Sequence, residues 1–177
     1  MNKALLDKAV DALAIQGVFL RSSEVKCKEG LDLPFIESEL SLTPQHRGAP
    51  IGQTKVLVVS SQPGVETRTV IFYFGAGTRL VESSTSSAVN PEDIGSESVY
   101  VEMTAEFGAQ YSLRHQLDDA EFNAAMEEFG RFNVAFHVWP YWREYVQSTC
   151  CRMGIPPIPV PFYMVPSSDQ SGDEPAQ

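Results

Sequence analysis

Cysteine and histidine are scarce in this chain, with three of each among 177 residues. An odd cysteine count, with Cys150 and Cys151 adjacent, argues against a secreted disulfide framework. Neither residue type recurs at ligand spacing beyond that vicinal pair, so there is no zinc motif. Cys150 and His137 would make a thiol nucleophile and its base, but 13 positions along one predicted helix separate them by about 20 Å. They do not meet. His115 near Asp118 and Asp119 is a lone acid/base candidate, a setting that is far more often structural or exposed. Gly75 and Gly77 start like a dinucleotide fingerprint, but Leu80 takes the third glycine position and no helix pattern follows. The sequence therefore offers no catalytic set, no metal site and no cofactor motif.

Positive charge is also sparse: 13 Lys and Arg stand against 23 Asp and Glu, a formal charge of -10. That balance disfavours nucleic acid and anionic lipid and favours neutral or basic partners. No apolar run approaches the length of a membrane span. At the N-terminus, Lys3, Asp7, Lys8 and Asp11 interrupt Leu5, Leu6, Val10 and Leu13, which is the pattern of an amphipathic helix and not of a signal peptide. The expectation is a soluble cytoplasmic protein with one domain over residues 1–166. The polar, acidic stretch 167–177 is expected to be a disordered tail.

What the chain does have is alternation, followed by helical periodicity. A helix is predicted from Lys3 to Ile15, stopped by Gly17, then strands near Val18 to Cys27 and from Ile36 to Leu42. Pro44 to Gln53, with two prolines and two glycines, reads as a loop. Lys55 to Ser60 and Arg68 to Phe74 read as a hairpin about the turn Gln62-Pro63-Gly64, and Ser83 to Ser98 as a mobile connection. Val99 to Phe107 reads as a long strand with Val101, Met103, Ala105 and Phe107 inward; Tyr100, Glu102, Thr104 and Glu106 point outward, and Gly108 reads as a bulge. The period then switches. Asp118 or Asp119 caps a helix ended by Gly130, and a longer helix runs from Asn133 to Met153, stopped by Gly154 and kinked or divided at Pro140. The order is helix, strands, helices, which predicts an α+β domain on an antiparallel sheet.

The richest stretch is Phe136 to Phe162. It joins aromatic helical residues to a loop holding Pro156, Pro157, Pro159 and Pro161. Its segment Pro140-Tyr141-Trp142-Arg143-Glu144, followed by Arg152, Gly154 and Pro156, resembles the helix and helix-connecting loop of the SecB export chaperones. The strand from Val101 to Leu113, ending Tyr111-Ser112-Leu113, also resembles that family's last strand. The resemblance covers roughly Tyr100 to Phe162.

It implies a four-stranded, or slightly larger, antiparallel sheet backed by C-terminal helices, with the N-terminal helix as an addition. It also implies an ATP-independent, non-enzymatic chaperone or adaptor, usually a dimer of dimers, holding unfolded clients in apolar grooves between the sheet and the helix-connecting loop. Many such proteins serve export by meeting the basic tail of SecA with an acidic sheet face; others guard one antitoxin. Here no long helix follows the proline loop, and the family's acidic docking position falls on Thr104. Glu102 and Glu106 share its face, and Glu24 sits where the first strand carries an acid.

Two residue sets follow. Trp139, Trp142 and Tyr145, with Ile155, Ile158, Val160 and Phe162, are the client-contact candidates, since rigid aromatics and a stiff extended segment suit varied apolar sequences. The same aromatics equally suit a helix packed on the sheet, and the proline loop a rigid spacer. Glu24, Glu102, Thr104 and Glu106 are the partner-docking candidates, or simply a solvated strand face. From a different class comes the alternative of an interaction module whose apolar faces are consumed in its own homo-oligomer.

Overall fold

The computed structural model describes residues 1–31, 41–62, 65–83, 95–115 and 117–163. Helix α1 (Lys3–Ala12) leads into five strands, β1 (Leu13–Cys27), β2 (Leu42–Pro50), β3 (Lys55–Gln62), β4 (Val65–Glu82) and β5 (Val99–Leu113), and then into α2 (Asp119–Phe132) and α3 (Val134–Met153). All strand pairs are antiparallel, in the order β1-β5-β4-β2. β3 also pairs with β4, along Val65 to Ile71, while β2 takes Phe74 to Glu82, so β2 and β3 lie end to end on one edge. The architecture is the α+β arrangement the sequence predicts, with five strands.

Strict alternation builds the core. Along β5, Val101, Met103, Ala105, Phe107, Ala109 and Tyr111 are buried, and along β4, Val70, Phe72, Phe74 and Ala76. The helices answer with rings. Phe129 of α2 packs on Phe72 and Tyr111 at 5.3 and 5.1 Å between centroids, and Trp142 of α3 meets Phe107 edge to face at 6.4 Å. Such pairs add to plain area burial because ring edges and faces carry opposite partial charge.

Several expected boundaries move. α1 stops at Ala12, and Gly17 sits inside β1, where the pairing with β5 shifts between Ile15 and Gly17. Pro44 to Pro50 is strand and not loop: proline is tolerated because β2 is an edge, where a missing N–H breaks no central ladder. β4 continues through Gly75 and Gly77 to Glu82, and Gly108 pairs regularly with Tyr73 and makes no bulge. α2 runs through Gly130, whose missing side chain leaves room for the Phe72 ring; a Cβ there would lie 3.2 Å from it. α3 is one helix through Pro140, ending where Gly154 turns left-handed at φ 70°. The expected strand at Ile36 to Leu42 falls largely outside the described residues, as do Pro63-Gly64, most of Ser83 to Ser98 and the tail. The N-cap expectation at Asp118 holds, its carboxylate accepting the Ala120 N–H at 3.1 Å.

Gly48 shows why β2 needs a residue without a side chain. It faces the helices, and a Cβ would stand 2.8 Å from the Trp139 ring and 3.0 Å from that of Phe74. Gly48→Val should therefore cost about 1–3 kcal/mol in urea unfolding, the usual penalty for overpacking. Ala49→Ser, on the opposite face of the same strand, should change stability by less than about 0.5 kcal/mol.

Candidate functional site

The helix-side face of the sheet has two flanks, and they differ. On the β2 flank the chain returns after Gly154 as an extended segment that buries Ile155, Ile158 and Val160 in the core. The Trp139 indole N–H donates to the Pro161 carbonyl at 2.7 Å. The His46 ring accepts or donates to Thr78 Oγ1 at 2.9 Å through Nδ1, and also bonds the backbone of Pro159. Because proline has no N–H, His46 must be the donor to that carbonyl. Tyr163 stacks obliquely on Trp139 and edge-on to Phe136. This flank is closed.

The β1 flank is open. Two pairing shifts, after Ile15 and after Leu20, re-phase β1 so that Leu13, Ile15, Val18, Leu20, Ser23, Val25 and Cys27 all oppose helix-side residues of β5. The β5 partners Tyr111, Phe107 and Met103 are buried, whereas Ile15, Leu20 and Val25 are 42%, 47% and 39% exposed. They form an apolar strip on the same face as α3, along a strand whose outer edge pairs with no described strand. Sequence reasoning missed this strip. Its spacing of five is not a strand period, and only the bulges produce it.

The client-contact candidates separate accordingly. Trp139 and Trp142 are buried, and Tyr145 is half-buried in a stack on Trp142 at 5.6 Å. Ile155, Ile158 and Val160, expected to border a client, point into the core, because in this segment the prolines take the outward positions. Only Phe162 is open, 77% exposed, with the Arg143 guanidinium 4.4 Å above its ring. The Trp142 indole N–H is buried with no hydrogen-bond partner among the described residues.

Glu24, Glu102, Thr104 and Glu106 do share the outer sheet face, with Glu24 directly opposite Thr104. Glu24, Thr104 and Glu106 border an open trough of about 530 Å³ floored by Gly75, and Glu102 lines a neighbouring one. Each acid has a basic neighbour: Lys26 at 2.9 Å from Glu24, Arg21 at 3.5 Å from Glu106 and Arg47 at 3.8 Å from Glu102. The basic neighbours balance the charge of these acids, the candidates for a docking face or a solvated strand face. Arg21 also lies over the Tyr73 ring at 4.7 Å.

Burial sets the ionisation pattern. The Cys150 thiol is pushed up by desolvation, the opposite of an activated nucleophile. His46 and His137 are both pulled below the ordinary imidazole value by burial, His137 while bonded through Nδ1 to the Tyr111 hydroxyl at 2.9 Å. Among the described residues no three His, Cys, Asp or Glu side chains are grouped to hold a metal ion. No described helix is long and apolar enough to cross a membrane.

With this geometry in view, the comparisons with known proteins are sharply divided. No protein-family model matches the chain, and no curated protein matches it in sequence. Among solved structures, it matches a SecB-like chaperone of Mycobacterium tuberculosis, Rv1957, in complex with a ChAD peptide from the HigA1 antitoxin. That match has a TM-score of 0.60, 14% identity and coverage of 91% of this chain and 98% of the other. The fold is SecB-like. In a SecB-like frame β1, β5, β4 and the β2–β3 edge form the sheet, and α3 with the proline segment forms its cover.

Two half-buried histidines at the joints of that cover make a pH prediction. A lowered folded value means the unfolded chain binds protons more readily just below the ordinary imidazole value of 6.5. The stabilisation is therefore complete above that pH and is lost as pH falls below it. Calorimetry should show the thermal midpoint dropping from pH 7 toward pH 5, and His46→Gln with His137→Gln should flatten that part of the slope. An unchanged slope would assign the effect to other groups.

Proposed function

We propose that this chain is a non-enzymatic, ATP-independent chaperone that holds nonnative polypeptides by their apolar segments. The observation that carries the reading is the open strip Ile15, Leu20 and Val25 beside α3. Large apolar side chains aligned on one face and left uncovered mark an interaction surface more strongly than scattered ones do. Desolvating such a strip gives affinity without directional chemistry, so many sequences qualify. The SecB-like neighbour, seen with an antitoxin peptide, supports a polypeptide as the ligand.

A client dedicated to this protein, such as an antitoxin, and a general role in export are both forms of the same reading. SecA docking has weaker support, since Glu24, Glu102 and Glu106 each have a basic neighbour beside them. The cytoplasm is the proposed location, where the free thiols of Cys27, Cys150 and Cys151 would stay reduced.

The second reading is an interaction module whose strip serves its own assembly. The outer edge of β1, which pairs with no described strand, favours it, because a second copy pairing there would cover both that backbone and the strip. Both can hold at once in a dimer or tetramer that keeps part of the strip for clients. Native mass measurement with and without an extended apolar peptide separates them: peptide uptake by the intact oligomer supports the chaperone, and none supports the module.

Replacing Leu20 and Val25 together by Asp should weaken binding of an unfolded client at least tenfold, since each apolar contact is worth about 1.5 kcal/mol or more. Unfolding free energy should change by less than about 1 kcal/mol, because both side chains are exposed. Full suppression of client aggregation by this variant would sink the assignment.

A further inference from the structure

We infer that Ile155 to Phe162 is a surrogate client: the groove between α3 and β2 is itself a binding site for an extended apolar polypeptide, and the chain occupies it with its own segment. This inference rests on the chaperone reading and adds a second site to it. The segment is recognised as an unfolded chain would be. Ile155, Ile158 and Val160 fill the groove, and His46 and Trp139 read the main-chain carbonyls of Pro159 and Pro161, atoms that every polypeptide carries. Apart from the Arg143 guanidinium over the Phe162 ring, no described contact depends on a functional group of the segment's side chains. The groove therefore selects for apolar, extended chain and not for this sequence.

The occupant is also built to be exchangeable. With proline at 156, 157, 159 and 161, only Ile155, Ile158, Val160 and Phe162 retain an N–H. The Ile155 N–H caps the Cys150 carbonyl at 3.1 Å, and that of Ile158 meets the Cys150 sulfur. A client segment without prolines brings donors that this one lacks. Its prolines keep the resident segment extended and reduce the entropy lost on docking, so it shields the groove until a stronger competitor arrives. While the groove is occupied, apparent client affinity is reduced by the fraction of molecules in which it is open.

The test uses the full chain and a reduced, carboxymethylated protein that stays unfolded, with amide hydrogen exchange followed at Ile155, Ile158, Val160 and Phe162. Client binding should speed exchange at these four amides at least fivefold. Ile158→Ser, which weakens the segment and leaves the groove walls intact, should tighten client binding about tenfold, from the loss of one buried aliphatic side chain; Val160→Ser should act in the same direction. Client binding with exchange at these amides unchanged or slowed overturns the surrogate-client inference and leaves the chaperone reading standing. Failure of both the wild-type chain and Ile158→Ser to bind the unfolded protein overturns the chaperone reading and this inference with it.

Discussion

The packing of α3 on the middle of the sheet is the interaction on which the rest depends. Val138, Trp142, Val146 and Cys150 recur at every fourth position and are all fully buried, so one ridge of α3 lies against the sheet along its length. Trp142 against Phe107 fixes the ridge over β5, and Trp139 against the bare backbone of Gly48 draws its other side toward β2. Once α3 lies there, the sheet is wider than its cover. One flank has to be filled by something else, and the other stays open.

The chain resolves the two flanks in opposite ways. Beside β2 it brings back its own proline-rich segment, held by two donors that grip carbonyls and by three aliphatic side chains. Beside β1 it leaves an apolar strip without a partner among the described residues. The outer face of the sheet differs from both: its glutamates are matched by Lys26, Arg21 and Arg47, and exposed matched pairs of that kind contribute little to stability. The aligned strip Ile15, Leu20 and Val25 thus lies on the helix side, which is where the proposed holding function needs it.

Much of this was legible in the sequence, and the physical reasons are specific. β5 could be read because its alternation is unbroken from Val101 to Tyr111, and α3 because its burial follows the helical period and ends at a left-handed glycine. The resemblance carried by Pro140 to Glu144 and by the proline loop named the fold correctly. The edges were illegible. β2 is written in proline and glycine, residues that signal a loop anywhere but at a sheet edge. In β1, two bulges erased the period of two and hid the strip. The aliphatics of the proline segment were read as facing a client because the spacing of prolines gives no facing direction; only the return over β2 turns them inward. Outer-face acids were visible, and Lys26 stands two residues from Glu24 on β1, but Arg21 and Arg47 reach Glu106 and Glu102 only through the register of the sheet.

Clients are proposed to bind on the helix side of β1, and neighbouring residues of that strand allow a direct measurement. Leu20 faces the helix side, whereas Phe19 lies over Gly108 on the opposite face, and the two are similarly exposed at 47% and 41%. A photo-reactive amino acid placed at Leu20 or Val25 should cross-link to an unfolded client, and one at Phe19 should not. Equal cross-linking from Phe19 and Leu20, or cross-linking from Phe19 alone, would contradict the account.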